Sequence, residues 1–104
     1  MADILLKGME NEAELTPAER LRLYFYLNLA YRVYENAYYQ KQEGALDAYV
    51  WEGLIANMRF GKRASAYQAF WRDRKQIFSH EFQNFYDEEV LASEVDPLDA
   101  LRKH

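Results

Sequence analysis

The stretch LRLYFYLNLAYRVYENAYYQKQEG, Leu21 to Gly44, decides the fold. Nothing in it breaks a helix before Gly44, so it reads as one continuous element. The start lies just upstream, at Thr16-Pro17-Ala18-Glu19. Thr16 can cap free backbone N–H groups, Pro17 fits the first helical position, and Glu19 stands where a capping box reciprocates. Gly44 is the residue type that best tolerates the left-handed conformation past a helix end. The helix is expected over about 17–43, roughly 40 Å at ~1.5 Å per residue.

Its faces are unusual. Leu21, Tyr24, Phe25 and Tyr31 fall on one stripe, and Leu23, Tyr26, Leu27, Ala30, Val33, Tyr34 and Ala37 on another. A helix apolar nearly all round is enclosed by other helices, a partner chain or lipid. Arg20, Arg22, Asn28, Arg32 and Glu35 interrupt any apolar run well short of the ~20 residues a membrane span needs. The expectation is therefore a rod wrapped by protein on most of its circumference. Tyr24, Tyr26 and Tyr31 are the candidate interface, since tyrosine buries a large area with little entropy loss.

The polar residues of the rod are ordered too. Asn28, Arg32, Glu35, Asn36 and Tyr39 follow one another at intervals of three or four and can meet along one edge. One reading is an internally satisfied network, with Arg32 held by Glu35 and Asn36 against the following helix. The other is a small-molecule pocket, with Trp51 and Glu52 opposite. The first is favoured, because buried charges are paired in place more often than left open for chemistry. If that pair is buried, removing Glu35 costs on the order of 3–5 kcal/mol.

Outward from the rod, 104 residues make one domain, with a core over 3–95 and a mobile tail over 96–104. With half the residues hydrophobic and 16% aromatic, disorder is excluded for most of the chain. Four Gly and two Pro leave little material for hairpins, and strict apolar/polar alternation is hard to find. Shorter helices are expected near 3–8, closed at Gly8, and near 47–60, capped by Asp47. Others follow near 65–78, with Ser65 and Gln68 as a capping box, and near 79–92, opened by Ser79. A last turn or short helix begins at Asp96-Pro97. The fold class is all-α, a small helical bundle around one long central aromatic helix.

Cysteine is absent, which removes disulfides and thiol chemistry and fits a reducing compartment. Met1-Ala2-Asp3 carries no basic leader, and Ile4-Leu5-Leu6 is too short for a signal peptide. The net charge of −4 hides an uneven layout. Residues 59–75 hold six basic groups against Asp73 alone, and residues 81–99 hold seven acidic groups and no Lys or Arg. Mutual neutralisation across a helical hairpin is favoured over a steering surface. Nucleic-acid binding through Arg59, Lys62 and Arg63 is the weaker reading, because the acidic block directly downstream would repel phosphate.

Catalytic patterns are missing. His80 and His104 have no second metal ligand at useful spacing, Glu88-Glu89 point to different faces, and the serines stand at cap positions. The four glycines are isolated, so no phosphate loop forms. No cofactor, metal site or catalytic residue is expected.

Glu35-Asn36-Ala37-Tyr38-Tyr39-Gln40, Gly44, Leu46-Asp47 and Val50-Trp51-Glu52-Gly53 carry a family likeness, joined by Phe70-Trp71, Arg74, Phe78-Ser79 and Glu81-Phe82. Over roughly Leu5 to Glu89 the chain resembles the cytoplasmic helical portion of an uncharacterised group of bacterial proteins. In that group a membrane helix and a linker helix precede the domain. The resemblance implies a helical fold and a place in the cytoplasm or on the cytoplasmic face of the inner membrane, and it brings no activity. This sequence lacks the membrane helix, which leaves an excised domain or a free-standing relative whose apolar surface a second copy would cover. The expected function is a non-enzymatic interaction or self-association module. The alternative is a small-molecule sensor or enzyme using the Arg32, Glu35, Asn36 and Tyr39 edge.

Overall fold

The computed structural model describes residues 2–94, and all regular structure among them is helical. Helix α1 spans Ala2–Glu10 and is followed by a 3-10 turn at Glu12–Glu14. Helix α2 spans Pro17–Gln42, α3 Ala48–Gly61 and α4 Ser65–Arg74, which tightens into a 3-10 turn at Lys75–Ile77. Helix α5 spans His80–Phe85 and widens into a π-helical stretch at Tyr86–Leu91. The expected C-terminal turn and the 96–104 tail lie outside the described residues.

The local signals explain most boundaries. Thr16 accepts the Glu19 N–H at 3.1 Å, and Glu19 accepts the Thr16 N–H at 3.0 Å, which closes the capping box. Gly44 takes φ +74°, and its N–H and that of Ala45 bond back to the last turn of α2. Asp47 caps α3, and Ser79 caps α5 by accepting the Phe82 N–H.

Three boundary expectations are corrected. Gly8 does not close α1. It lies within the helix, where an added Cβ would stand 2.6 Å from Leu23 and 2.9 Å from Ala66, so it permits the close approach of α1 to α2 and α4. Ser65 is not the cap of α4: Ala64 holds that position without a side-chain bond, while the Ser65 hydroxyl accepts the Glu12 N–H at 3.1 Å. Residues 79–92 are not one α-helix. The π-helical turn keeps Phe82, Tyr86 and Val90 on the inner face, all at 1% exposure or less.

The core forms where α1, α3, α4 and α5 pack along one side of α2. Leu23, Leu27 and Tyr31 enter it from α2, Met58 from α3, and Ala66, Phe70 and Trp71 from α4. At its centre the Tyr31 ring lies 5.1–5.6 Å from Phe70, Trp71 and Tyr86. The Tyr31 and Tyr86 hydroxyls bond to each other at 2.7 Å, so neither buried phenol lacks a partner.

The expectation that α2 is wrapped on most of its circumference is overturned. Leu21, Phe25, Leu29 and Val33 are 58%, 66%, 68% and 59% exposed, and Tyr26 is 42% exposed. The remaining helices are short and lie on the same side of α2, so one face is covered and the opposite one is bare.

Candidate functional site

The polar edge of α2 faces the junction between the 3-10 turn Lys75–Ile77 and α5. Arg32 donates from Nη1 to Glu35 Oε1 at 3.0 Å and from Nη2 to the Ile77 carbonyl at 3.2 Å, and its guanidinium lies 4.6 Å from the Phe78 ring centroid. Glu35 Oε2 accepts the Ser79 N–H at 2.9 Å. Tyr39 donates to the Ser79 hydroxyl oxygen at 2.7 Å. These groups anchor the start of α5 to the rod.

The other members of the expected constellation do not join them. Asn36 and Glu52 are exposed, and Trp51 stacks among Tyr38 and Phe85. Asn28 points to a different place, described below. Arg32 is held against the α4–α5 junction, not against the following helix, and the partner found in place of Asn36 is a backbone carbonyl.

The pair is also not buried: the Arg32 and Glu35 side chains are 46% and 16% exposed. The larger penalty expected for a buried pair is therefore replaced by that of one part-buried N–H left without its acceptor. Glu35→Ala should lower the unfolding free energy by about 1–2 kcal/mol in urea titration, and Glu35→Gln by less. A Glu35→Ala curve superimposable on the wild type would refute this anchoring role.

Among the described residues one ion pair joins the two charge blocks, and their other contacts run to backbone carbonyls, so side-chain neutralisation between them is partial. Lys75 pairs with Asp87 at 2.9 Å, and the Trp71 indole N–H donates to the other Asp87 oxygen at 2.8 Å. Arg59 donates to the Glu89 carbonyl from Nε and Nη2, and Lys62 donates to the Val90 and Ser93 carbonyls. Basic side chains thus satisfy the carbonyls left open at a helix C-terminus. Burial lowers the Lys62 ammonium pKa. Arg72 pairs with Asp73, so Arg59, Lys62, Arg72 and Lys75 all have partners within the chain.

Two of the three candidate interface tyrosines are displaced. Tyr31 is 1% and Tyr24 7% exposed, so neither projects from the surface as an interface anchor; Tyr24 reaches only the wall of a hollow described below. Tyr24 instead donates to Asp73 Oδ2 at 3.0 Å. Tyr26 alone of the three reaches the surface. In place of the tyrosines, the bare face of α2 offers Leu21, Phe25, Leu29 and Val33 in an unbroken i,i+4 line. Leu29 could have been found by extending the Leu21–Phe25 spacing, but nothing local marks that line as the outer one.

Beside this line lies an open concavity of about 220 Å³, lined by Leu21, Tyr24, Phe25, Asn28, Phe70, Arg74 and Ile77. The Arg74 guanidinium lies 5.3 Å from the centroid of Tyr24. Asn28 Oδ1 is buried without a hydrogen-bond donor. Apolar walls and a rim cation suit this hollow to holding an amphipathic side chain.

Among the described residues no group of His, Asp and Glu gathers to hold a metal, and no helix is long and apolar enough to cross a membrane. Compared with family models, curated proteins and solved structures, the chain finds no match.

Proposed function

We propose that this chain is a non-enzymatic helical interaction module that offers the bare face of α2 to another protein. The exposed line Leu21, Phe25, Leu29 and Val33 carries this reading. Single exposed apolar residues are ordinary, but four in register on the longest helix make a contiguous patch of the kind that marks contact sites.

A photo-crosslinking amino acid placed at Phe25 should give a discrete protein adduct in cells expressing the chain. The same group at Glu10, exposed at the end of α1, should give none. Absence of any adduct from both position 25 and position 29 would end the reading.

A further inference from the structure

The charges around the bare face determine what fits it. Between Pro17 and Gln42 the only carboxylates are Glu19 and Glu35. Glu19 is held by Lys7 and the Thr16 N–H, and Glu35 by Arg32 and the Ser79 N–H. The exposed cations beside the apolar line are Arg22 and Arg32 on α2 and Arg74 across the hollow; Lys41 stands in the last turn of α2, beyond the line. Arg22 forms no ion pair with any described residue, and Arg74 has only its chain neighbour Asp73, whose carboxylate Arg72 and Tyr24 already hold. The face is thus apolar and cationic, with no free acid on it.

That pattern disfavours a second copy. A parallel two-fold pairing sets Arg22 against Arg22. An antiparallel one centred on the line, whose midpoint is Leu27, sets Arg22 against Arg32. The parallel pairing juxtaposes like charges with no carboxylate between them, and the antiparallel one offers Arg22 no carboxylate beyond Glu35, which Arg32 already holds; both oppose association.

We infer that the groove between α2 and the 3-10 turn Lys75–Ile77 receives an amphipathic helix from another protein, with its apolar stripe flanked by aspartates or glutamates. Its apolar anchors lie along Phe25 and Leu29, and one enters the 220 Å³ hollow against Phe70 and Ile77. Its carboxylates meet Arg22 and Arg74, whose planar guanidinium groups suit bidentate pairing. This assignment of a partner class rests on the interaction-module reading.

Two fluorescein-labelled helical peptides test it. Both carry Trp and Leu at i, i+4 and i+7, one with Glu on the flanks and its twin with Lys there. Fluorescence anisotropy should show the acidic peptide binding at least about tenfold more tightly than its twin, and less tightly as salt rises. Arg74→Glu should weaken that binding about tenfold, and Leu29→Glu should abolish it, both variants keeping wild-type circular dichroism. Equal affinity for the two peptides, or no binding of the acidic one, overturns the inference. A dimer in sedimentation that Leu29→Glu dissociates also overturns it, while leaving the interaction surface intact with a second copy as occupant. Co-sedimentation with phosphatidylcholine–phosphatidylserine vesicles, with no preference between the peptides, overturns it in favour of a lipid surface.

Discussion

Phe82→Ala should lower the unfolding free energy by about 3–5 kcal/mol, the range for emptying a fully buried aromatic site. Phe82 has no exposed surface and lies within 5.8–6.2 Å, centroid to centroid, of Tyr38, Trp71, Phe78, Phe85 and Tyr86. Its helix has only six residues, too few to persist alone, so α5 exists because this ring is packed. The melting temperature should fall by more than about 12 °C, at roughly 4–8 °C per kcal/mol for a domain near this size. Should Phe82→Ala fail to fold, Phe82→Leu gives a smaller loss on the same site. Leu29→Ala, on the bare face of the same core-forming rod, should change stability by less than about 0.5 kcal/mol. Urea titrations that place Phe82→Ala within about 1 kcal/mol of the wild type would mean that the core is centred elsewhere.

The contrast between Phe82 and Leu29 marks what the sequence could reveal. Helix starts were legible because Thr16, Asp47 and Ser79 act within three residues of themselves, and Gly44 marks a conformation that favours glycine. The apolar positions Phe82, Tyr86 and Val90 were legible as a face. Their i,i+4 spacing fits an α-helix and a wider π turn alike, so the π-helical winding was not. Ser65 looked like a cap because Gln68 follows it, whereas its actual partner, Glu12, is 53 residues away.

The two apolar faces of α2 presented a harder problem. The expected stripes each mixed covered and bare positions: the structure groups Tyr24, Leu27 and Tyr31 on the covered side, and Leu21, Phe25, Leu29 and Val33, of similar hydrophobicity, on the bare one. Only the packing of the other helices decides which is covered. All of them lie on one side, and that is a property of the assembled domain. The Arg32–Glu35 pair was legible from its i,i+3 interval. Its anchoring role was not, because the Ile77 carbonyl and Ser79 N–H come from more than forty residues downstream.

Alkaline unfolding should be steep, and its cause lies in the nine tyrosines of the sequence. Tyrosine in an unfolded chain ionises near pH 10. Burial pushes Tyr24 up to about 12, reinforced by its hydrogen bond to the Asp73 carboxylate. Burial also raises Tyr31 and Tyr86 well above the ordinary value. Above pH ~10 the unfolded chain has released protons that the folded chain still holds, so stability falls as pH rises. The contribution of these phenols is whole below pH ~10 and is lost as pH climbs through their folded pKa values. Each fully buried phenol withdraws about 1.4 kcal/mol per pH unit, and Tyr34 and Tyr67, also raised by burial, act in the same sense. Lys62, displaced downward by burial, works in the opposite sense but is a single group. Against a domain stability of roughly 5–15 kcal/mol, unfolding should follow within a few pH units above pH ~10. Phenolate absorbance and far-UV circular dichroism should change together. The Tyr31→Phe/Tyr86→Phe double variant removes the buried hydroxyl pair while keeping both rings, a change close to neutral at pH 7. It should unfold at higher pH, with a shallower dependence on pH. Independent, reversible ionisation of every tyrosine near pH 10 with helicity intact would contradict the packing around Tyr31, and with it the burial of one face of α2 that leaves the other free for a partner.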